Sequence, residues 1–374
     1  LLVEAGKRLE RIAAGGALIA RLGGDEFAVI IDDTRSPADL IAFGERICIA
    51  LSRPFALPAA HVNVSASVGF AVFPVAGTNA EQLYERADYA LYYAKHRKRG
   101  QPVIFSDEHQ LEIRNKGKLE QCLRNADLET ELSLHFQPLF DVVRNEPIAF
   151  EALARWHSPQ LGQVPPNTFI PIAERTDLIH KLSHTLLRKA LAAASGWPDH
   201  IQISFNLSAR DIASPESMAQ IERIVIDSGV DPGRIDFEVT ESALMSDFDQ
   251  AMASIGRLRT LGTRISLDDF GTGYSSLSYV HRLPLDKIKI DRSFIIDIET
   301  RGSSRDILRT VLDLCRNLNI SCVVEGMETA QQAEILRELG CRSMQGYYFA
   351  RPMAQHDVLE FLAARVPAAM VQAA

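Results

Sequence analysis

The sequence predicts an α/β protein in which a small α/β unit precedes a closed eight-stranded β/α barrel whose first strand runs against the rest. Three observations carry this. From Glu131 onward, eight short strand-like runs recur, and helical patterns separate most of them. The first two runs, ELSLHFQPLF and PIAFEALARW, are joined only by DVVRNE, which is too short for a parallel crossover, so they are expected to be antiparallel neighbours. A chain of 374 residues also exceeds one ordinary core, which leaves room for a small domain ahead of the barrel.

The opening LLVEAGKRLE reads as an amphipathic, charged helix rather than a signal peptide, and the absence of a leading methionine suggests further sequence upstream. ALIARLGG and FAVIID alternate as two strands about a Gly-Gly-Asp-Glu turn, the pattern of a β-hairpin. A helix is expected from Pro37 to Ser52, then a strand over HVNVSASVGFAVFP and an amphipathic helix over AEQLYERADYALYYAKHRKR. The charged, proline-free stretch from Ser106 to Ala126 reads as a helical connector. These readings divide the chain into 1–106, a linker at 107–118, a barrel at 119–366 and a tail at 367–374. The other barrel strands are IQISFNLS, RIDFEVTES, RISLDDFG, DKIKIDRSFI, SCVVEGM and SMQGYYFA, with helices at Ile172–Ala194, Glu216–Ser228, Asp249–Leu261 and Arg305–Asn319.

Composition excludes several function classes. A net charge of −8 argues against a surface built for nucleic acid polymers, so any phosphate must be met by a few local cations or metals. Cys48, Cys122, Cys315, Cys322 and Cys341 show neither a CxxC pair nor finger spacing, and fit buried thiols in a reducing cytoplasm. No apolar run reaches the roughly 18 residues of a membrane span. A cytoplasmic location is expected for this chain.

The polar residues that follow the apolar core of each strand carry the chemistry. They are Gln137, Glu151 with Arg155, Asn206, Glu238 with Glu241, Asp268 with Asp269, Lys289 with Asp291, Glu325, and Gln345. Taken singly, each has a structural explanation: Asp268 and Asp269 can cap a helix, Asn206 can fill a turn, and Lys289 or Arg155 can face solvent. Taken together, they sit at barrel strand ends, which converge on one mouth. So many acids in one partly buried place require compensating positive charge. The donors are all oxygen or amide, without Cys or His, and suit Mg²⁺ or Mn²⁺ better than Zn²⁺. Adjacent aspartates suit a pair of ions acting in phosphodiester cleavage.

The runs EALARW, FNLS, EVTES, LDDFGTGYSS, KIKIDRSF, VVEGMET and MQGYYFARP, in this order, resemble the EAL family of cyclic-di-GMP phosphodiesterases from Leu119 to about Val366. The resemblance implies an EAL-type (β/α)8 barrel and the opening of cyclic di-GMP to linear pGpG with two Mg²⁺ or Mn²⁺ ions. By motif position it implies Glu151, Asn206, Glu238 and Asp268 as ligands of the first ion, with Asp268 bridging. Asp269 is implied as a ligand of the second ion, supported by Asp291 and Glu325. Lys289 resembles the lysine that holds the attacking water, and Glu241 the acid that anchors the loop from Asp268 to Ser276. Glu151 and Glu325 count among the catalytic groups with Lys289 and Glu241. Gln137, Arg155, Asp291 and Gln345 fall at substrate contacts. Ala154 and Met327 depart from the usual aliphatic residues and touch no ligand position. EAL domains commonly dimerise beside the Asp268 loop, so a homodimer is expected.

ARLGGDEFAVII, SASVGFAVFP and ADYALYYAK resemble the GGDEF family, with an α+β, palm or ferredoxin-like fold. Asp25 and Glu26 are present, and Lys95 and Arg99 match phosphate-contacting positions, which implies weak GTP binding at most. Lys98 and Gly100 replace the usual Gly and Asn. The family's Arg-x-x-Asp product site would fall at Ala14 to Ala17 and is absent. The upstream strand and helix that complete the family's nucleotide pocket precede Leu1, so this part is expected to be regulatory and to make no cyclic di-GMP.

Overall fold

The computed structural model divides into two compact units, Leu1–Lys118 and Leu119–Ala374. The structure describes residues 1–13, 17–32, 36–57, 60–271 and 282–364. The expected product-site positions 14–16, the loop residues 272–276 that Glu241 was expected to anchor, and the tail at 367–374 lie outside the described residues.

In the first unit a helix at Leu2–Ile12 leads into an antiparallel hairpin of β1 (Ala17–Gly23) and β2 (Glu26–Ile31), with the turn where the Gly-Gly-Asp-Glu run predicts it. The Pro37–Ser52 helix starts at Ser36, whose hydroxyl accepts from the Asp39 amide while the Asp39 carboxylate accepts from the Ser36 amide. The long strand expected over residues 61–74 forms only in part. β3 (Phe55–Leu57) pairs with β4 (Ala60–Val62), and β5 (Val68–Phe70) pairs in parallel with β6 (Pro102–Ile104), while residues 63–67 join no ladder. Alternation alone cannot make a strand without a partner edge, and Pro74 has no amide with which to extend one. The helix at Ala80–Arg97 packs on β5 and β6, closing a small core around Ala90, Ala94, Val103 and Phe105.

In the second unit β7 (Leu132–Asp141) turns back through a short loop into β8 (Glu146–Ser158), which a third short strand, β9 (Gly162–Val164), extends. Six strands follow: β10 (Gln202–Asn206), β11 (Ile235–Thr240), β12 (Arg264–Phe270), β13 (Lys287–Ile290), β14 (Ser321–Val324) and β15 (Ser343–Gln345). β8 and β10 through β15 are parallel in sequence order, and β7 lies antiparallel between β15 and β8, closing the barrel. β16 (Met353–Ala354) pairs with the outer half of β7. This is the predicted barrel with one reversed strand. β9 and β16 were not foreseen, since each is too short to carry an alternation signal.

Helices at Pro215–Ser228, Phe248–Thr260 and Gly302–Asn317 match the periodic segments within a few residues. The single helix expected over Ile172–Ala194 is two, Pro166–Arg175 and Leu178–Ala194. Asp177 between them adopts a left-handed φ of 56°, which a right-handed helix cannot pass through. The main core lies between the strands and these helices, with Phe136 edge-on to Trp197 at 5.1 Å and Phe150 at 5.2 Å from the same indole. All five cysteines are unpaired, four buried and Cys322 half-buried. Among the described residues no helix is long and apolar enough to cross a membrane.

Candidate active site

Side chains alternate along a strand, so every second residue of each barrel strand faces inward. On this face lie Gln137 of β7, Glu151 of β8, Asn206 at the end of β10, Glu238 of β11, Asp268 of β12, Lys289 of β13, Glu325 just past β14 and Gln345 at the end of β15. The structure brings them together around one atom. Lys289 Nζ, fully buried, lies 2.5 Å from Glu238 Oε2, 2.7 Å from Glu325 Oε1, 3.4 Å from Asp268 Oδ1 and 3.5 Å from Glu151 Oε2. Asn206 Nδ2 donates to Glu151 Oε1 at 2.9 Å, and Gln345 Nε2 donates to Glu151 Oε2 at 2.7 Å and to Gln137 Oε1 at 3.4 Å. Gln137 Nε2 in turn donates to the Ala350 carbonyl at 3.3 Å. Gln345, expected as a substrate contact, thus also holds a carboxylate, and Gln137 holds Gln345.

Charge in this cluster is unbalanced. Burial disfavours the Lys289 ammonium, but the carboxylates of Glu151, Glu238, Glu325 and Asp268 outweigh it and push its pKa well above that of an ordinary lysine. Burial would raise Glu151, yet Lys289 and the amides of Asn206 and Gln345 hold its carboxyl below the usual range. Glu238 goes the other way: burial, with the charges of Glu151 and Asp268, outweighs Lys289 and drives it well upward. Burial raises Glu325 to about 8, with Asp268 and Glu151 adding to the effect and Lys289 opposing it. One ammonium does not neutralise four carboxylates.

Among the described residues no group of three or more His, Cys, Asp or Glu side chains converges on a point that would hold a metal ion, because the carboxylates converge on Lys289 Nζ instead. The donor set nevertheless fits hard divalent cations. Glu325 Oε1 is buried and makes no hydrogen bond of acceptable geometry, even with the lysine at ion-pair distance, and Gln345 Oε1 is buried without a partner. Further positive charge at this mouth would relieve the raised carboxyls.

The other predicted residues lie around this centre. Asp269 lies within β12, where the register with β13 shifts, and adopts a left-handed φ of 54°, its amide donating to Asp268 Oδ1 at 2.9 Å; burial and the charges of Asp268 and Asp291 raise its carboxyl. Gly271, at φ 93°, has no room for a side chain, since a Cβ would stand 2.4 Å from the Phe294 ring. Asp291 accepts from the Ser293 amide at 2.9 Å and lines, with Gln137, Glu151, Glu325 and Gln345, a cavity of about 230 Å³. Glu241 opens the short helix Glu241–Ser246, directly after the capping hydroxyl of Thr240. Arg155 is not brought into the cavity; its guanidinium donates to the carbonyls of Ala154 at 2.8 Å and Leu153 at 3.4 Å.

Sequence reasoning did not single out Arg292, Glu328 and Tyr347, which also line the cavity, with Arg292 3.5 Å from Glu328. Glu328 and Tyr347 come from loops and Arg292 opens the three-residue 3-10 helix Arg292–Phe294, where no periodicity marks them. Gly326 could have pointed there: at φ 74° a Cβ would sit 2.3 Å from Arg292 Cβ. In the first unit Asp25 and Glu26 are exposed at the hairpin turn, and Lys95 pairs with Glu26 at 3.9 Å.

Comparison with known proteins agrees with this architecture. Residues 120–352 match the family described as EAL domain, and residues 1–101 the family described as diguanylate cyclase, GGDEF domain. The bifunctional diguanylate cyclase/cyclic di-GMP phosphodiesterase MucR of Pseudomonas aeruginosa is 36% identical over 367 residues, covering 97% of this chain and 53% of its own length. The chain spans about half the length of the curated relatives it matches. Among solved structures, the PaMucR phosphodiesterase in complex with c-di-GMP aligns with a TM-score of 0.61 at 37% identity, over 64% of this chain and 99% of that one. Klebsiella pneumoniae BlrP1 with manganese and cyclic di-GMP aligns with a TM-score of 0.55 at 30% identity, over 60% of this chain and 57% of that one. A reversed first strand, a buried lysine ringed by strand-end carboxylates and these matches lead to one conclusion: the chain belongs to the EAL domain family and carries a GGDEF domain over its first 101 residues.

Proposed function

We propose that the barrel unit hydrolyses cyclic di-GMP to linear pGpG, water attacking one phosphorus and the P–O3′ bond breaking. The observation that carries this reading is the convergence of Glu151, Glu238, Asp268 and Glu325 on the buried Lys289 at the barrel mouth. Relatives named for this phosphodiesterase activity and structures holding cyclic di-GMP support it.

The residues fit two Mg²⁺ or Mn²⁺ ions. Glu151, Asn206, Glu238 and Asp268 would hold the first, and Asp268, Asp269, Asp291 and Glu325 the second. When bound, such ions polarise the scissile phosphate and lower the pKa of a water. The protein's own groups do the rest. Lys289, kept charged by its carboxylate neighbours, orients the attacking water through its ammonium protons. Gln345 and Asn206 fix the Glu151 carboxylate, so that its oxygens need not reorganise during the reaction. Gln137, Gln345 and Asp291 line the cavity that would receive the substrate, and Arg155, held outside it on the Ala154 and Leu153 carbonyls, would reach the substrate only by leaving those bonds. Glu241 is assigned the anchoring of the loop that follows Asp268. The GGDEF unit is read as regulatory, and the barrel as the part through which two copies associate.

The test is to incubate the purified chain with cyclic di-GMP and Mg²⁺ and separate the products by chromatography. Accumulation of pGpG that a chelator abolishes is expected; unchanged substrate would leave a binding module in place of an enzyme.

A further inference from the structure

The barrel interior repeats the pattern of the site one step lower. Inward positions read Asp236 then Glu238 on β11, Ser266 then Asp268 on β12, and Lys287 then Lys289 on β13. Lys289 reaches past β12 to Glu238, and Lys287 reaches past β12 in the same way to form an ion pair with Asp236. Ser266 Oγ lies 2.7 and 2.8 Å from the two oxygens of that aspartate. Asp236 and Ser266 are wholly buried, Ser204 of β10, in register with Asp236, is buried as well, and Leu139, Ala149 and Val323 form a small apolar cluster of their own.

A buried ion pair is seldom worth more stability than apolar residues of the same size, so stability alone does not account for this one. Its position does. Asp236 sits one residue pair below Glu238, about 6.6 Å along the strand. It would be an unpaired buried carboxylate if Lys287 were removed. The next ammonium on the same face of the same strand is that of Lys289, whose flexible stem can turn toward either acid of β11.

We infer that Lys287 is a positioning residue for Lys289: by saturating Asp236, it keeps the Lys289 ammonium turned upward to the carboxylates at the mouth. The inference rests on the proposed role of Lys289 in hydrolysis. It predicts an asymmetry that a purely structural pair would not show. Losing the lysine alone exposes a competing acid; losing the acid alone, or both charges together, exposes none.

The experiment compares K287M, D236N and the double variant D236N/K287M by steady-state hydrolysis of cyclic di-GMP in Mg²⁺ and by crystal structure. K287M is expected to lower kcat about tenfold or more with KM within about twofold, and the double variant to recover kcat to within about threefold of wild type, as D236N does. In the K287M crystal structure Lys289 Nζ is expected in contact with Asp236. The inference is overturned if the double variant is as slow as K287M, if activity merely follows Tm across the three, or if Lys289 in K287M stays against Glu238 and Glu325. Should K287M not fold, the double variant decides: kcat near wild type supports the inference, and a tenfold loss overturns it. If the wild-type chain leaves cyclic di-GMP intact, the functional reading fails, while the position of Lys289 in K287M still tests this inference.

Discussion

At Lys289 the catalytic assignment and the charge balance of the barrel mouth rest on one side chain. Replacing it with alanine removes a contact expected to matter most in the transition state, so Lys289→Ala should lower kcat about 100-fold or more with KM nearly unchanged, measured by steady-state kinetics. The same change leaves Glu151, Glu238, Asp268 and Glu325 without their ammonium. In chelator the variant should therefore melt below wild type, and added Mg²⁺ should raise its Tm by more than it raises that of wild type. A second residue-scale expectation follows from the all-oxygen donor set. Ca²⁺ takes more ligands at longer distances than Mg²⁺ or Mn²⁺, so chelator-stripped enzyme reloaded with Ca²⁺ should bind cyclic di-GMP but turn it over slowly; turnover equal to that in Mg²⁺ would refute this. The acids, the lysine and the amides were visible in the sequence because each follows an apolar core of its run, although β7 and β8 continue past Gln137 and Glu151. That Gln345 and Asn206 grip Glu151 was not visible, since they lie on different strands and only barrel closure makes them neighbours.

Among the elements, the short helix Ala209–Ala213 shows how the strand ends are held in place. Its Asp211 is wholly buried and accepts from Ser208 of its own cap at 2.7 Å and from Ser183 and Ser217 of the flanking helices at 2.6 and 2.7 Å, with His180 Nδ1 at 2.7 Å. Burial pushes this carboxyl up, but the hydrogen bonds from Ser183, Ser208, His180 and Ser217 outweigh it and hold the carboxyl below its ordinary value. A carboxyl depressed in the folded state contributes stability above its unfolded pKa, about 3.9, and loses it as pH falls through the folded value. Asp211→Asn should therefore be less stable than wild type at neutral pH, and the difference should shrink in chemical melts taken below about pH 4. At the next strand end, Glu241→Ala should lower activity with the circular dichroism spectrum unchanged, if this acid anchors the loop after Asp268. Helix positions were legible where a clean period marked them, as over Pro37–Ser52, whereas the short helix Glu241–Ser246 begins inside a run that reads as a strand. The break at Asp177 was not legible, because apolar spacing runs on through it and aspartate tolerates the left-handed conformation that local packing imposes.

For the whole molecule, each of the two units has buried clusters of its own. Among the described residues, those of the first unit draw on residues between Leu9 and Phe105, and those of the barrel on residues from Leu119 onward. Residues 119–374 expressed alone should therefore fold cooperatively and keep kcat for cyclic di-GMP within about threefold of the full chain; an insoluble or inert fragment would show that the barrel depends on the unit before it. Closure of the barrel through β7 is where a single core change should cost most. Phe136→Ala, at a fully buried ring packed on Trp197, should destabilise by about 3–5 kcal/mol in urea melts. The number of barrel strands, the reversal of the first, and the acids, amides and lysine of the site could all be read along the chain, because strand alternation, loop length and strand-end polarity are local properties. Three further features needed the folded barrel: four carboxylates share one ammonium, a second tier of Asp236, Ser266 and Lys287 lies beneath them, and Arg155 stays outside the cavity. Those are relations across strands far apart in sequence, set by the stagger of a closed barrel and by the cost of leaving any buried charge without a partner.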